Sequence, residues 1–580
     1  MKLEKSGALE PHVSVEIGEI KSYVSNRSLE EMTDAKATKI LSSAQADLDM
    51  AAETGYKPEL RRNFSVLSLL GVGFGLTNSW FGISASLITS IASGGPMIVV
   101  YGIIIVALVS SCIAITLSEL ISAYPNAGGQ YYWTMKLAPK KYAPFLSYLC
   151  GALAWAGSVF TSASVTIAIA SSFMGMVVLG SGDPNKTVKT WQVFVVYQVA
   201  NLLLVFFNLY EKPLPAISKG ALGISLISFF TIMVVVLAKA DGKFQSAHFV
   251  FVQFTNGTGW NSSGIAFIVG LINPNWSFSC LDAATHMAEE MLDPRRQIPI
   301  AIIGTVIIGF VTSFSYSIAM FFSIRNLEDL YTSRTGVPIM DIFYQVLGSR
   351  SGAIGLEILI FLTAIGCNIA SHTWQARLCW SFARDNGLPG SKYWRAVSST
   401  GVPVNAHLMS CAWCAVIGCI YMGSTTAYNA MVVGCIIFLL LSYLIPTVCL
   451  LIKGRNNIPH GPFWCGTVGL ISNCVLIFWA IFATVFYSLP AVMPVTQNNM
   501  NYVSAVFVGY TLYCVIYWML RGKHRFTYVE EREAGIPDLT HELSHKLEEL
   551  EVVLSAKVTN LDTVLSARNA RRYDGIDQKM

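Results

Sequence analysis

The chain has 580 residues, 53% hydrophobic and only 13% charged, with a net charge of +4. Soluble chains carry about 25% charged residues, so a soluble globular domain is excluded and a polytopic membrane protein is expected. No basic stripe is present, which excludes nucleic acid as a partner and leaves membrane lipid and a small-molecule substrate.

Residues 1–62 are polar and lack a sustained apolar run, as in a largely disordered cytosolic tail. The first long apolar run begins near Ser65, so no cleaved signal peptide is expected. From Asn63 to Ser118 there is no Asp, Glu, Lys, Arg or His, which is too long for one crossing of about 20 residues. Ala92-Ser-Gly-Gly-Pro96 divides it into helices over 66–91 and 97–120. Further crossings are predicted at 144–179, 191–210, 216–238, 264–290, 299–323, 352–383, 406–423, 428–452, 464–487 and 502–520. Twelve crossings fill a transporter domain over 63–523 and put both ends on one side. Lysine and arginine concentrate in one set of loops (Lys136, Lys140, Lys141, Arg295, Arg296, Arg384, Lys453, Arg455), which marks that side as cytosolic. The sequons at Asn185, Asn256 and Asn261 fall on the opposite side, although Asn26, Asn63 and Asn275 match the pattern too. Residues 524–580 form a second cytosolic tail, where Leu539, Leu543, Leu547, Leu550 and Leu554 have the spacing of an amphipathic helix. The two tails are the expected contact for trafficking or ubiquitination machinery. The 13 cysteines lie in or beside apolar runs and read as small buried hydrophobes, with no disulfide framework and no metal or cofactor site.

Two crossings carry residues that a lipid-facing helix avoids. The first reads Gly71-Val-Gly73-Phe-Gly75-Leu-Thr77-Asn78-Ser79-Trp80-Phe81-Gly82. Glycine permits unwinding, and Thr77, Asn78 and Ser79 can satisfy freed backbone groups; close helix packing would also use the glycines. The sixth contains Ile272-Asn273-Pro274-Asn275-Trp276-Ser277-Phe278-Ser279-Cys280-Leu281-Asp282. Here Asn273 and Pro274 are expected to open the helix. Interruptions at corresponding positions of two halves point to a binding site near the bilayer midplane.

Three further stretches carry a resemblance. Ser118-Glu119-Leu120 through Tyr124-Pro125 to Gly128-Gly129-Gln130-Tyr131, Glu289-Glu290-Met-Leu-Asp293-Pro294-Arg295-Arg296, and Arg377 through Ala383-Arg384-Asp385-Asn-Gly387-Leu-Pro389 resemble signatures of the amino acid–polyamine–organocation superfamily. The first break resembles that of its fungal amino acid/choline permeases. Gly264–Asp282 and His372-Thr-Trp374-Gln-Ala-Arg377 are most similar to the choline permeases among them. The resemblance covers residues 60–525. It implies an all-α membrane fold with a LeuT-like inverted five-helix repeat plus two helices, the first and sixth being discontinuous. The implied activity is transport, not catalysis: import of choline, with ethanolamine or related amines, across the plasma membrane by alternating access driven by membrane potential, protons or both. A permease for γ-aminobutyrate, another amino acid or a polyamine is the alternative.

Relatives that carry amino acids keep a small stretch at the first break to hold a carboxylate; Thr77-Asn78-Ser79-Trp80 is bulkier. A quaternary ammonium offers no N–H and is held by aromatic walls, at about 0.5–2 kcal/mol each. The candidate binding residues are therefore Thr77, Asn78, Ser79, Trp80, Trp155, Trp276, Ser277 and Phe278, with Gly73, Gly75, Asn273 and Pro274 at the breaks. Asp282 and Glu119 are candidates for coupling or gating. Ser279-x-x-Asp282 also has capping-box spacing, which favours a cap. Glu289, Glu290, Asp293, Arg295 and Arg296 read as loop ion pairs. Glu357 reads as solvated at the outer interface; His286 and His372 are protonation candidates, with satisfied polar groups the favoured reading.

Overall fold

The structure is a computed structural model that describes residues 34–526, apart from 184, 332, 400 and 498, together with 536–548. Its apolar segments are helical because hydrocarbon offers no partner to a backbone N–H or C=O. Among the described residues there is no strand, and 11 helices are long and apolar enough to cross a membrane.

Two compact units are distinct: residues 63–526, and the chain ends. In the terminal unit Asp34–Thr54 is a helix, where the sequence reads as tail. The segment lacks a clear apolar stripe but is rich in alanine, the strongest helix former. Arg62 ties down its second half, donating from Nε to Asp47 Oδ1 at 2.7 Å and from Nη2 to the Ala46 carbonyl at 3.0 Å. Residues 536–548 are also helical and include Leu539, Leu543 and Leu547; Leu550 and Leu554 lie outside the described residues.

The larger unit begins with α1 (Val66–Thr77), α2 (Ser79–Ala85) and α3 (Leu87–Gly94), followed by α4 (Pro96–Ala123) and the short α5 (Gln130–Leu137). Gly95, at φ +71°, makes the turn into α4, and Pro96 opens that helix where no intrahelical N–H is needed. Next come α6 (Ala143–Ser181), α7 (Thr190–Val205), α8 (Leu214–Lys239), α9 (Ser263–Gly270) and α10 (Ile272–Ser277). Then follow, with shorter helical turns between them, α11 (Pro294–Ser323), α12 (Pro338–Leu347), α13 (Arg350–Arg384), α14 (Val404–Gly423), α15 (Thr425–Lys453), α16 (Gly466–Phe486) and α17 (Val503–Tyr517). Where a twelfth crossing is predicted, at 264–290, the chain is in pieces: α9, α10, an irregular stretch from Phe278, and a 3-10 turn over Thr285–Glu290.

Helix α1 lies at the centre, packed against α8, α11 and α13. Helices α6 and α13 are 39 and 35 residues long, so α6 runs about 58 Å against a hydrocarbon thickness of about 30 Å. They pack along each other and reach well beyond one leaflet's depth. Leu108, Leu202, Ile227, Phe230, Ile307 and Phe478 are all exposed, forming the apolar outer surface that lipid covers.

Candidate functional site

The two interrupted segments meet. Helix α1 ends where Asn78 turns left-handed at φ +32°, its N–H capping the Phe74 carbonyl at 2.7 Å. Asparagine tolerates this geometry better than most side chains. Across the gap, Thr77 Oγ1 donates to the Ser279 carbonyl at 3.1 Å. Asn273 Nδ2 donates to the Ile83 carbonyl at 3.2 Å and to Ser86 Oγ at 2.5 Å, supplying α2 and its end. Gly82 allows the contact, since a Cβ there would stand 2.8 Å from Ser277 Cα. Gly73 and Gly75 lie inside α1: a Cβ on Gly73 would lie 2.9 Å from Thr305 Oγ1, whereas one on Gly75 would meet only ordinary contact, 3.9 Å from Ala370 Cβ.

The second interruption falls later than Asn273-Pro274 suggests. Both residues lie inside α10. Proline removes one donor from the helical ladder, and the freed Gly270 carbonyl accepts instead from Ser90 Oγ at 2.7 Å. With that group satisfied, the helix continues to Ser277. The chain leaves helical geometry at Phe278, and Cys280 is left-handed at φ +67°.

Two cavities flank this junction. The inner one, about 10 Å³ and so the room of one water, is lined by Leu76, Thr77, Phe81, Thr161, Val165, Trp276, Ser279, Cys280, Cys367 and Cys435. The larger, about 560 Å³, reaches residues 336–339, Thr425, Thr426, Asn429, Val433, Ile436 and residues 499–501, with Ser164, Ser172, Tyr421 and Glu357 also in its wall. Phe81 and Trp276 line both, so this ring pair, with centroids 6.5 Å apart, is the partition between them. Trp276 is held by its Nε1–H, which donates to Ser164 Oγ at 3.2 Å.

The other candidate residues lie elsewhere. Trp80 is fully buried, donates to Ser225 Oγ at 3.0 Å, and packs against Phe229 and Tyr316 on α8 and α11. Asn78 Nδ2 donates to the same hydroxyl at 3.0 Å. Trp155 donates to Ser410 Oγ at 3.2 Å and joins an apolar cluster with Val159 and Tyr197. Ser277 Oγ returns to the Asn273 carbonyl at 2.8 Å, and Phe278 is buried near Gly309. Ser79 is buried, 2.5 Å from where a Cβ on Gly309 would sit. None of Asn78, Ser79, Trp80, Trp155, Ser277 or Phe278 lines either cavity, whereas Thr77 and Trp276 do.

Two acids differ from expectation. Glu357 is fully buried, not solvated at an interface: Ser172 Oγ donates to its Oε1 at 2.6 Å, and Oε2 has no partner among the described residues. Asp282 is not a helix cap. Its Oδ1 accepts from Tyr443 at 2.5 Å and its Oδ2 from Gln130 at 2.6 Å, with His286 Nε2 3.1 Å away. The turn from Phe278 leaves no new α-helix at Asp282 for it to cap.

Elsewhere in the bundle, paired charges knit the helices. Arg377 meets Glu290 through two bonds of 2.9 and 3.2 Å, both side chains buried. Arg384 grips Glu289 at 2.6 and 2.8 Å and stacks on Trp380. Arg455 meets both oxygens of Glu119 at 2.9 Å, and the Cys465 N–H adds a third bond. A separate buried group, His372, His407 and Cys411, brings its ligand atoms within 4.8 Å of one another. It lines neither cavity, and His407 Nε2 is taken by the Val205 carbonyl at 3.1 Å.

Residues 64–512 match the model of the amino acid permease family. The chain belongs to that family. Within it, the chain is 60% identical over 475 residues to a choline transporter of Saccharomyces cerevisiae, covering 82% of this chain and 84% of the relative. It is 34% identical to a 7-keto 8-aminopelargonic acid transporter of the same yeast, covering 81% and 94%. It is also 34% identical to a swainsonine transporter of Arthroderma benhamiae, covering 81% and 93%. Family membership and the 11 apolar helices make the chain a multi-pass membrane transporter.

Proposed function

We propose that this permease imports choline, with ethanolamine and related amines as further cargo, across the plasma membrane. The observation that carries the reading is the Phe81–Trp276 partition between two cavities at the meeting of two interrupted helices. A quaternary ammonium gains from aromatic faces what it cannot gain from hydrogen bonds. The inner cavity offers Thr77, Thr161 and Ser279 hydroxyls for the alcohol end and no cation to attract a carboxylate. The 60% identical choline transporter supports the same substrate.

In this reading α9, α10 and the 278–290 segment together make the sixth of twelve crossings, and helices one to five repeat inverted as six to ten. Both chain ends face the cytosol, and the large cavity is the outer vestibule. The cation enters past Glu357, parts Phe81 from Trp276, and widens the inner cavity as the bundle rocks. The three arginine–carboxylate pairs then break to open the inner side. An inward membrane potential contributes about 2.3 kcal/mol per 100 mV to a monovalent cation. Radiolabelled choline uptake by cells lacking their own permease tests the reading: saturable uptake at micromolar choline is expected, and its absence overturns it.

A further inference from the structure

His372, His407 and Cys411 come together away from both cavities. His372 lies on α13, and His407 and Cys411 lie one turn apart on one face of α14. All three are buried. The Cys411 sulfur is 3.6 Å from His407 Nδ1 and 3.8 Å from His372 Nδ1. A metal ion about 2.3 Å from sulfur and about 2.0–2.1 Å from nitrogen separates those atoms by about 3.6 Å at tetrahedral angles and about 3.8 Å at trigonal ones. Both sulfur–nitrogen pairs already stand at ligand spacing.

The hydrogen bonds point the same way. The Val205 carbonyl, 3.1 Å from His407 Nε2, only accepts, so Nε2 carries the hydrogen and Nδ1 presents a lone pair to the sulfur. The thiol has a single hydrogen to offer two Nδ1 atoms. If His407 takes it, His372 must donate from Nδ1, and its buried Nε2 becomes a lone pair with no partner among the described residues. If His372 carries its hydrogen on Nε2 instead, two Nδ1 lone pairs compete for one thiol hydrogen. Either arrangement leaves a buried nitrogen short, which is costly. A metal ion removes the conflict. The thiolate and both Nδ1 lone pairs bind it, His407 keeps its bond to Val205, and His372 Nε2–H is left to the neighbouring Leu204 backbone. A carbonyl on the far nitrogen is the usual support of a ligating histidine. Gln375 Nε2–H also donates to the sulfur, at 3.6 Å, which suits a thiolate.

A thiolate with two imidazoles suits Cu(I) and Zn(II). It brings Cu(I) to zero net charge and leaves Zn(II) at a net positive charge, which burial penalises. Arg377 faces His407, and its charge is already matched by Glu290. The surroundings therefore favour a neutral site.

We propose that His372, His407 and Cys411 bind a single thiophilic metal ion, Cu(I) in preference to Zn(II), that clamps α13 to α14. Binding turns the thiol into a thiolate, and its proton leaves to water; no electron is transferred. Because α13 also carries Arg377 and Arg384, the clamp steadies the helix that holds Glu290 and Glu289. The clamp does not depend on which substrate the chain carries.

The full chain is purified in detergent, stripped with a chelator, and loaded in separate samples with Cu(I) under ascorbate or with Zn(II). Metal retained after gel filtration is then counted. About one copper per chain is expected, and less zinc. Zinc retained in place of copper keeps the site and overturns the choice of ion; retention of neither overturns the site. Cys411→Ser and His372→Gln should each bind more weakly by more than the about tenfold that loss of even an outer hydrogen-bond partner costs. Cys419→Ser, at an exposed thiol on the same helix, should bind as wild type does. Undiminished binding by Cys411→Ser, or equal loss in Cys419→Ser, overturns the proposal. X-ray absorption at the metal edge of the wild-type protein should show a sulfur neighbour and two nitrogens. A shell without sulfur overturns the proposal even where the variants fail to fold.

Discussion

Replacing Trp276 and Trp80 in turn separates a ligand-facing ring from a structural one. Trp276 lines both cavities and is partly exposed within them, whereas Trp80 is sealed among α8 and α11 with its Nε1–H bonded to Ser225. A desolvated cation–π contact contributes about 0.5–2 kcal/mol, so Trp276→Ala should raise the apparent KM for choline about two- to thirtyfold. Trp276→Phe keeps an aromatic wall and should stay near the lower end of that range. Trp80→Ala instead empties a packed interior position, at a cost of about 3–5 kcal/mol in stability. Less protein should reach the surface, while KM per transporter stays close to wild type. The assay is concentration-dependent choline uptake normalised to surface protein. An unchanged KM in Trp276→Ala would refute the partition as binding site. A large rise in KM at normal surface level in Trp80→Ala would refute the assignment of that ring to packing.

Glu357→Gln replaces a carboxyl group in the wall of the large cavity while keeping the bond from Ser172; a several-fold weaker apparent choline affinity is expected in uptake assays, and unchanged affinity would show that this carboxyl group does not guide the cation. Arg377→Met leaves Glu290 buried without its partner, which should destabilise the protein by about 3–5 kcal/mol, read as a lower melting temperature in detergent; a melting temperature equal to wild type would contradict this. Asn273→Ala strips the donors from the Ile83 carbonyl and Ser86, at about 1–3 kcal/mol. It should lower both thermal stability and transport rate, and full activity at elevated temperature would count against the role given to this side chain.

The long apolar helices were legible in the sequence because lipid leaves a continuous helix few alternatives. The segment predicted at 144–179 is helical over Ala143–Ser181, and that predicted at 352–383 is helical over Arg350–Arg384. The interrupted segments were legible as regions and not in detail. Pro274 breaks only one hydrogen bond, and Ser90, far away in sequence, replaces it; no local pattern reveals that rescue. The same holds for facing. Once Asn78 turns left-handed, the helical phase of the next residues is reset, so periodicity cannot say that Phe81 and not Trp80 meets the cavities. Glu357 looked interfacial from its distance along the helix, yet its direction is set by Ser172 on α6. His286 stands out in the sequence as a histidine in an apolar segment, but its contacts with the Ala127 carbonyl and Asp282 do not. Asp282, in turn, takes donors from Gln130 and Tyr443, which only the folded chain brings to one place.

The most direct test of the central claim is radiolabelled choline uptake by the full chain in cells that lack a choline permease, with unlabelled competitors added in excess. The account predicts saturable uptake that unlabelled choline abolishes and γ-aminobutyrate leaves intact. Absence of choline uptake, or uptake blocked by γ-aminobutyrate and not by choline, would contradict it.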